Sequence, residues 1–159
     1  MLIIKLLIIV VLLTIFYQDI KEQLVYWILF PAAGILFGLM HFFNVDRYLF
    51  YLAVISNLII VLTVLSVLFL YSRIKLKSKF INGSFGLGDL LFFISLCLAF
   101  PPVTFVVLFV FSVLFSFAMH IFFKNNSLYM VPLAGYMALF YAGVLLISIF
   151  LNAPLLYLI

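Results

Sequence analysis

Apolar residues in this chain come in long runs, and the polar residues between them mark where the runs end. A helix that crosses a membrane needs about 20 apolar residues at about 1.5 Å rise each. The first run, residues 2–18, is slightly short of that; the second covers 24–43 and the third 48–72. A polar segment, 73–88, follows and is the longest in the chain. Apolar residues resume after Asp89 and continue to Phe123, about 35 residues, too many for one ordinary span. Pro101-Pro102 divides this run, because proline lacks a backbone donor and restricts the residue before it. The pattern therefore predicts a short fourth helix over 89–100, a fifth over 103–123 and a sixth over about 130–150, with Pro132 near its start. The tail, "LNAPLLYLI", reads as interfacial. The fold class expected is all-α: a polytopic membrane protein, a bundle of six transmembrane helices, with 1–159 as one membrane-embedded domain.

Charge orients the bundle. Lysine and arginine concentrate on the cytoplasmic side of membrane proteins. The 73–88 segment carries Arg73, Lys75, Lys77 and Lys79, so it is expected to face the cytoplasm. Alternating the six spans from there puts Lys21 and Lys124 on the same side, and Lys5 and Arg47 on the other. Six of the eight basic residues are then inside, and both termini lie outside. Lys5 interrupts the first run near its end, where its ammonium can snorkel to the interface.

Composition agrees with this pattern. The chain is 70% hydrophobic and only 8% charged, with a mean hydropathy of +1.52. A water-soluble fold could not hide that much apolar surface. The net charge of +4 is accounted for by the loop lysines, so no nucleic acid partner is expected. The lipid bilayer is. The first run lacks a small-x-small cleavage site and reads as a retained helix rather than a signal peptide. Cys97 is the only cysteine, with no partner for a disulfide and no CxxC for zinc. His41 and His120 fall near opposite faces and are not expected to share a metal. Phe122, Phe123, Tyr48 and Tyr51 read as interfacial belts.

Only four residues are acidic: Asp19, Glu22, Asp46 and Asp89. Asp46-Arg47 reads as an exposed outer pair, worth little, and Glu22 as a solvated loop charge or a cap. Asp19 ends the first span and Asp89 begins the fourth, so the topology puts both at the cytoplasmic edge. Asp89 alone reads equally well as a helix cap, because a carboxylate accepts from unpaired N–H groups at a helix start. Asp19 faces the negative end of its own helix dipole and gains nothing there unless it has another partner. Two carboxylates held close cannot both ionise easily. The ionised one can take a proton from water, and the protonated one can polarise a peptide carbonyl. Gly86 and Gly88, just before Asp89, permit positive φ and a close backbone approach, so a substrate strand could lie against this loop. Ser84 has no base beside it, which argues against a serine mechanism.

Three stretches carry a family resemblance. "FYQDIKEQLVYWILFP", "GLGD" and "VPLAGYMAL" resemble, in order and spacing, the type IV prepilin peptidases, integral-membrane aspartyl proteases with a GxGD motif. The resemblance implies that Asp19 and Asp89 are the catalytic pair, that Gly86 and Gly88 are the motif glycines, and that Pro132 is the proline opening the last helix. It implies a pilin-like precursor as substrate, cut between a short basic leader and an apolar helix, with no metal or cofactor. It places the protein in a prokaryotic cytoplasmic membrane with the active site toward the cytoplasm. The chain departs from the family at Val25-Tyr26-Trp27, where Ile-Pro-Asn is common, and at Leu91, where lysine is common. It also lacks the cysteine-bearing insert of larger members, so the expectation is the minimal, peptidase-only form without S-adenosylmethionine binding. Lys75, Lys77 and Lys79 would repel a basic leader unless they face lipid phosphates. The departures motivate an alternative, a non-enzymatic family member acting as a membrane assembly factor. A proton- or ion-coupled carrier is a third reading, opposed by the scarcity of polar residues inside the spans.

Overall fold

The computed structural model describes residues 1–22, 24–76, 86–122, 132–150 and 157, with the side chains of 75 and 76 left aside. The described residues form helices and no strand. In chain order these are α1 (Leu2–Glu22), α2 (Leu29–Phe42), α3 (Arg47–Tyr71, continuing as a π turn over Ser72–Leu76), α4 (Leu87–Leu96), α5 (Pro102–Phe122) and α6 (Leu133–Phe150). α1, α3, α5 and α6 are long and apolar enough to cross a membrane; α2 and α4 are shorter. Large apolar side chains on the outer faces, such as Ile3, Val10, Ile59, Val67 and Phe117, are exposed. Backbone groups in lipid must be satisfied within the chain, which is why these runs are helical throughout.

α6 is the most enclosed of the spanning helices, with half of its apolar window buried. It packs along α1 on one side and α5 on the other, and it touches α4. α1 and α6 run antiparallel and are pinned at both ends. Lys5 Nζ donates to Ser148 Oγ at 3.0 Å, and at the other end the Gly135 N–H donates to Asp19 at 2.6 Å. Lys5 is therefore half-buried against α6 rather than snorkelling freely, and its charge sits near the negative end of the α6 dipole.

α2 begins five residues later than the apolar run suggests. Gln18 Oε1 accepts the Tyr26 N–H at 3.1 Å and folds the connection back on α1. Pro31 then limits how early the helix can start, because its missing N–H and its ring are tolerated only in the first turn. α2 lies tightly on α4. A Cβ on Gly34 would come 3.3 Å from Ser95 Cα, and Ser95 Oγ donates to the Phe30 carbonyl at 2.7 Å. Gly34 and Gly38 form a G-x-x-x-G pair on one face of α2, the spacing that lets two membrane helices approach closely.

α4 has 10 residues, about 15 Å, half of a hydrocarbon core of about 30 Å. The turn between α4 and α5 thus lies inside the bundle, and Cys97, Ala99 and Phe100 are buried. Its four successive carbonyls all find side-chain donors. Asn57 Nδ2 donates to the Cys97 carbonyl at 3.0 Å and to that of Phe100 at 2.8 Å. His41 Nδ1 lies 3.1 Å from the Leu98 carbonyl, which fixes the proton on that nitrogen in the neutral ring. The Tyr157 hydroxyl donates to the Ala99 carbonyl at 3.3 Å, so this part of the tail turns inward instead of lying at the interface. Replacing Asn57 by Leu strands two buried carbonyls. It is expected to lower stability by about 1–3 kcal/mol, read as a lower midpoint of unfolding in detergent.

Several expectations fall outside the described residues: Lys77, Lys79, Ser84, Phe123 and Lys124, and the side chain of Lys75. Of the belt aromatics, Tyr48, Tyr51 and Phe122 are exposed. Asp46 and Arg47 are exposed too, and the Arg47 guanidinium lies over the Phe42 ring, 5.9 Å from its centre.

Candidate active site

The site forms at the start of α6. Pro132 precedes the helix and its carbonyl accepts the Tyr136 N–H at 3.2 Å, closing the first turn. The N–H groups inside a first turn have no partner within their own helix. Two of them, on the adjacent residues Ala134 and Gly135, point at carboxylates instead. The Ala134 N–H donates to Asp89 Oδ1 at 2.8 Å, and the Gly135 N–H donates to Asp19 Oδ2 at 2.6 Å. The end of α1 and the start of α4 are thus tied to one helix turn. The arrangement supplies the partner that Asp19 lacks on its own helix: it caps a helix 116 residues further on. Both carboxylates sit where the α6 dipole favours negative charge.

The glycines matter here for room. Gly86 has φ −74° and ψ 141°, ordinary extended backbone, and immediately precedes α4. A Cβ there would come 3.0 Å from Asp89 Oδ2. Gly88 is inside the helix, where a Cβ would come 3.2 Å from Phe30 Cζ. The positive φ expected for this pair is not what the backbone uses: Gly86 makes space for a carboxylate and Gly88 for a ring. Gly88→Ala is expected to push α2 from α4 and to lower stability by about 1 kcal/mol, measured by the same unfolding midpoint.

Gly135 is the tightest point. A Cβ on it would come 2.9 Å from both Asp19 Cβ and Asp19 Oδ2. The first stretch of α6, "PLAGY", therefore combines free amides with a residue small enough for α1 to approach them. Reading Pro132 as the opening of the last helix located this turn. What went unread was the Ala-Gly pair behind it, whose signal is a small residue three positions past a helix-opening proline.

Asp19 and Asp89 are both only partly buried. Leu91, the position of the family's lysine, is half-buried and packs against the core. Leu24, Tyr26 and Trp27 are exposed beside the end of α1. Among the described residues no group of three histidine, cysteine or acidic side chains is placed to hold a metal ion.

Comparison of the chain with protein-family models, with curated proteins and with solved structures gave no match. The reading of this site therefore rests on its residues and their geometry.

Proposed function

We propose that this chain is an aspartyl endopeptidase that removes the leader of a pilin-like precursor, at the cytoplasmic edge of a prokaryotic inner membrane. One observation carries the reading: Asp19 and Asp89, 70 positions apart in sequence, are held on the adjacent amides of Ala134 and Gly135. The resemblance of "FYQD", "GLGD" and "VPLAGY" to prepilin peptidases supplies the substrate class. Lys21 and Arg73, at the end of the bundle where the aspartates lie, support a cytoplasmic orientation.

In this mechanism one carboxylate is ionised and the other protonated. The ionised group takes a proton from a water molecule, whose oxygen attacks the scissile carbonyl carbon. The protonated group gives its proton to the carbonyl oxygen as the tetrahedral intermediate forms. Collapse breaks the C–N bond: the proton taken from water passes to the leaving amine, and a hydroxyl proton of the intermediate returns to the other aspartate, restoring the singly protonated pair. The α6 amides hold both groups in place throughout, so no reorganisation is needed during the reaction. An inserted precursor would lie beside the enzyme with its leader junction at the depth of the aspartates.

The experiment is cleavage of a prepilin-type precursor by the purified protein in liposomes, with products identified by mass. A single cut at the junction of leader and apolar helix is expected, and an uncut precursor counts against the reading. The rate should rise and then fall with pH, because both fully ionised and fully protonated pairs are inactive. The same hydrogen bonds would also serve a non-enzymatic assembly factor, in which the acids only cap α6. In that case function in cells would survive loss of both carboxylates.

A further inference from the structure

Tyr26 and Trp27, in the link from α1 to α2, have no part in the acid–base scheme. Hydrogen bonds on both sides fix the link that carries them. Gln18, the residue before Asp19, accepts the Tyr26 N–H on its Oε1 at 3.1 Å. The Tyr26 and Trp27 carbonyls accept the N–H groups of Leu29 and Phe30 at 3.0 and 3.4 Å. Phe30 in turn lies against Gly88, the residue before Asp89, where a Cβ would come 3.2 Å from its ring. Val25 and Leu29, on either side of the pair, pack against the core. The pair is thus tied to both aspartate-bearing helices, while its own side chains are turned out, 67% and 68% exposed.

An aromatic face attracts cations, that of tryptophan most strongly. Elsewhere in the chain such faces are taken: Lys21 lies over Tyr17, Arg47 over Phe42 and Arg73 over Phe69, at 5.3, 5.9 and 5.5 Å. Among the described residues no lysine or arginine lies over Tyr26 or Trp27. Glu22, exposed at the end of α1, adds a negative charge where the link begins. We propose that Tyr26 and Trp27 form a platform for the lysine or arginine side chains of the precursor's leader. This inference rests on the peptidase reading above. An extended chain advances about 3.3 Å per residue, so leader residues a few positions from the cut can reach a platform tied to Gln18 and Phe30. Such a contact is the same before and during the reaction, so it strengthens binding and leaves the chemical step alone.

Trp27 is the only tryptophan in the chain, so its emission reports the platform directly. Asp19→Asn, which holds a precursor without cutting it, is placed in phosphatidylcholine liposomes with a tryptophan-free precursor whose leader carries either lysines or glutamines in their place. The emission should change with the lysine leader and stay constant with the glutamine leader. In the otherwise wild-type protein, Trp27→Leu keeps an apolar side chain and removes the ring. It is expected to raise KM about 5-fold for the lysine leader with kcat unchanged, and to have no effect on the glutamine leader. Trp27→Phe, which restores a ring, should recover most of the loss. Equal responses to the two leaders, in emission or in KM, would overturn the assignment and leave the pair as membrane anchors. If the wild type cleaves and Trp27→Leu matches it on both leaders, only the platform fails. If the lysine leader alters the emission but the wild type cuts neither precursor, the peptidase reading fails and the platform stands as a site for basic segments.

Discussion

Asp89→Asn is expected to reduce precursor cleavage by roughly 10³-fold or more, the scale of losing a general acid or base, and Asp19→Asn should do the same. Asparagine is the informative replacement because its amide oxygen can still accept from the α6 backbone. The bonds from Ala134 to position 89 and from Gly135 to position 19, now 2.8 and 2.6 Å, can persist with a neutral acceptor. Proton transfer cannot. Alanine removes the acceptor as well, leaving a helix-start N–H without a partner, at a cost of about 1 kcal/mol. The pair of substitutions thus separates capping from catalysis: Asn should lose activity at nearly wild-type stability, and Ala should lose both. Cleavage rate and unfolding midpoint, measured on the same samples, check this.

Gly135→Val carries the second-largest expected effect, and it leaves every acidic residue in place. Any Cβ at 135 would stand 2.9 Å from Asp19 Cβ and Oδ2, inside the distance at which real atoms meet. The neighbour there is not the free end of a long chain. Asp19 Cβ is fixed to α1, which is pinned to α6 again at Lys5–Ser148. Either α1 moves away or Asp19 rotates off the Gly135 amide, and both take one carboxylate out of register with the other. A misplacement of about 1 Å can cost 10²-fold, so cleavage should fall about 100-fold, with a milder loss for Gly135→Ala. Wild-type cleavage by Gly135→Val would mean that the close approach of α1 has no part in the activity.

The long apolar helices were legible because lipid forces every backbone group into local hydrogen bonds, so α1, α3, α5 and α6 follow directly from their runs. Pro101-Pro102 correctly marked the break before α5. The start of α2 was misplaced because apolar content alone extends the run to residue 24, while Pro31 and the Gln18–Tyr26 bond set the boundary. That both acids fall at the same end of the bundle was legible from the alternation of the spans. Their convergence on α6 was not, because it joins residues 116 and 45 positions apart. The same holds for the turn after α4, whose carbonyls are capped by Asn57, His41 and Tyr157 across 40 to 58 positions. A local pattern carries no record of such partners. Gly34 and Gly38 did carry a local record, the G-x-x-x-G spacing, and it predicts the close contact with α4.

The central claim is that Asp19 and Asp89 act as one unit on one peptide bond, and a double-mutant cycle tests it most directly. Cleavage would be measured for wild type, Asp19→Asn, Asp89→Asn and the double variant, each first shown to be folded. Groups that act as a unit are strongly non-additive, so the double variant should be no slower than either single one. Independent, multiplying losses would contradict the account, as would a single variant that cleaves at the wild-type rate.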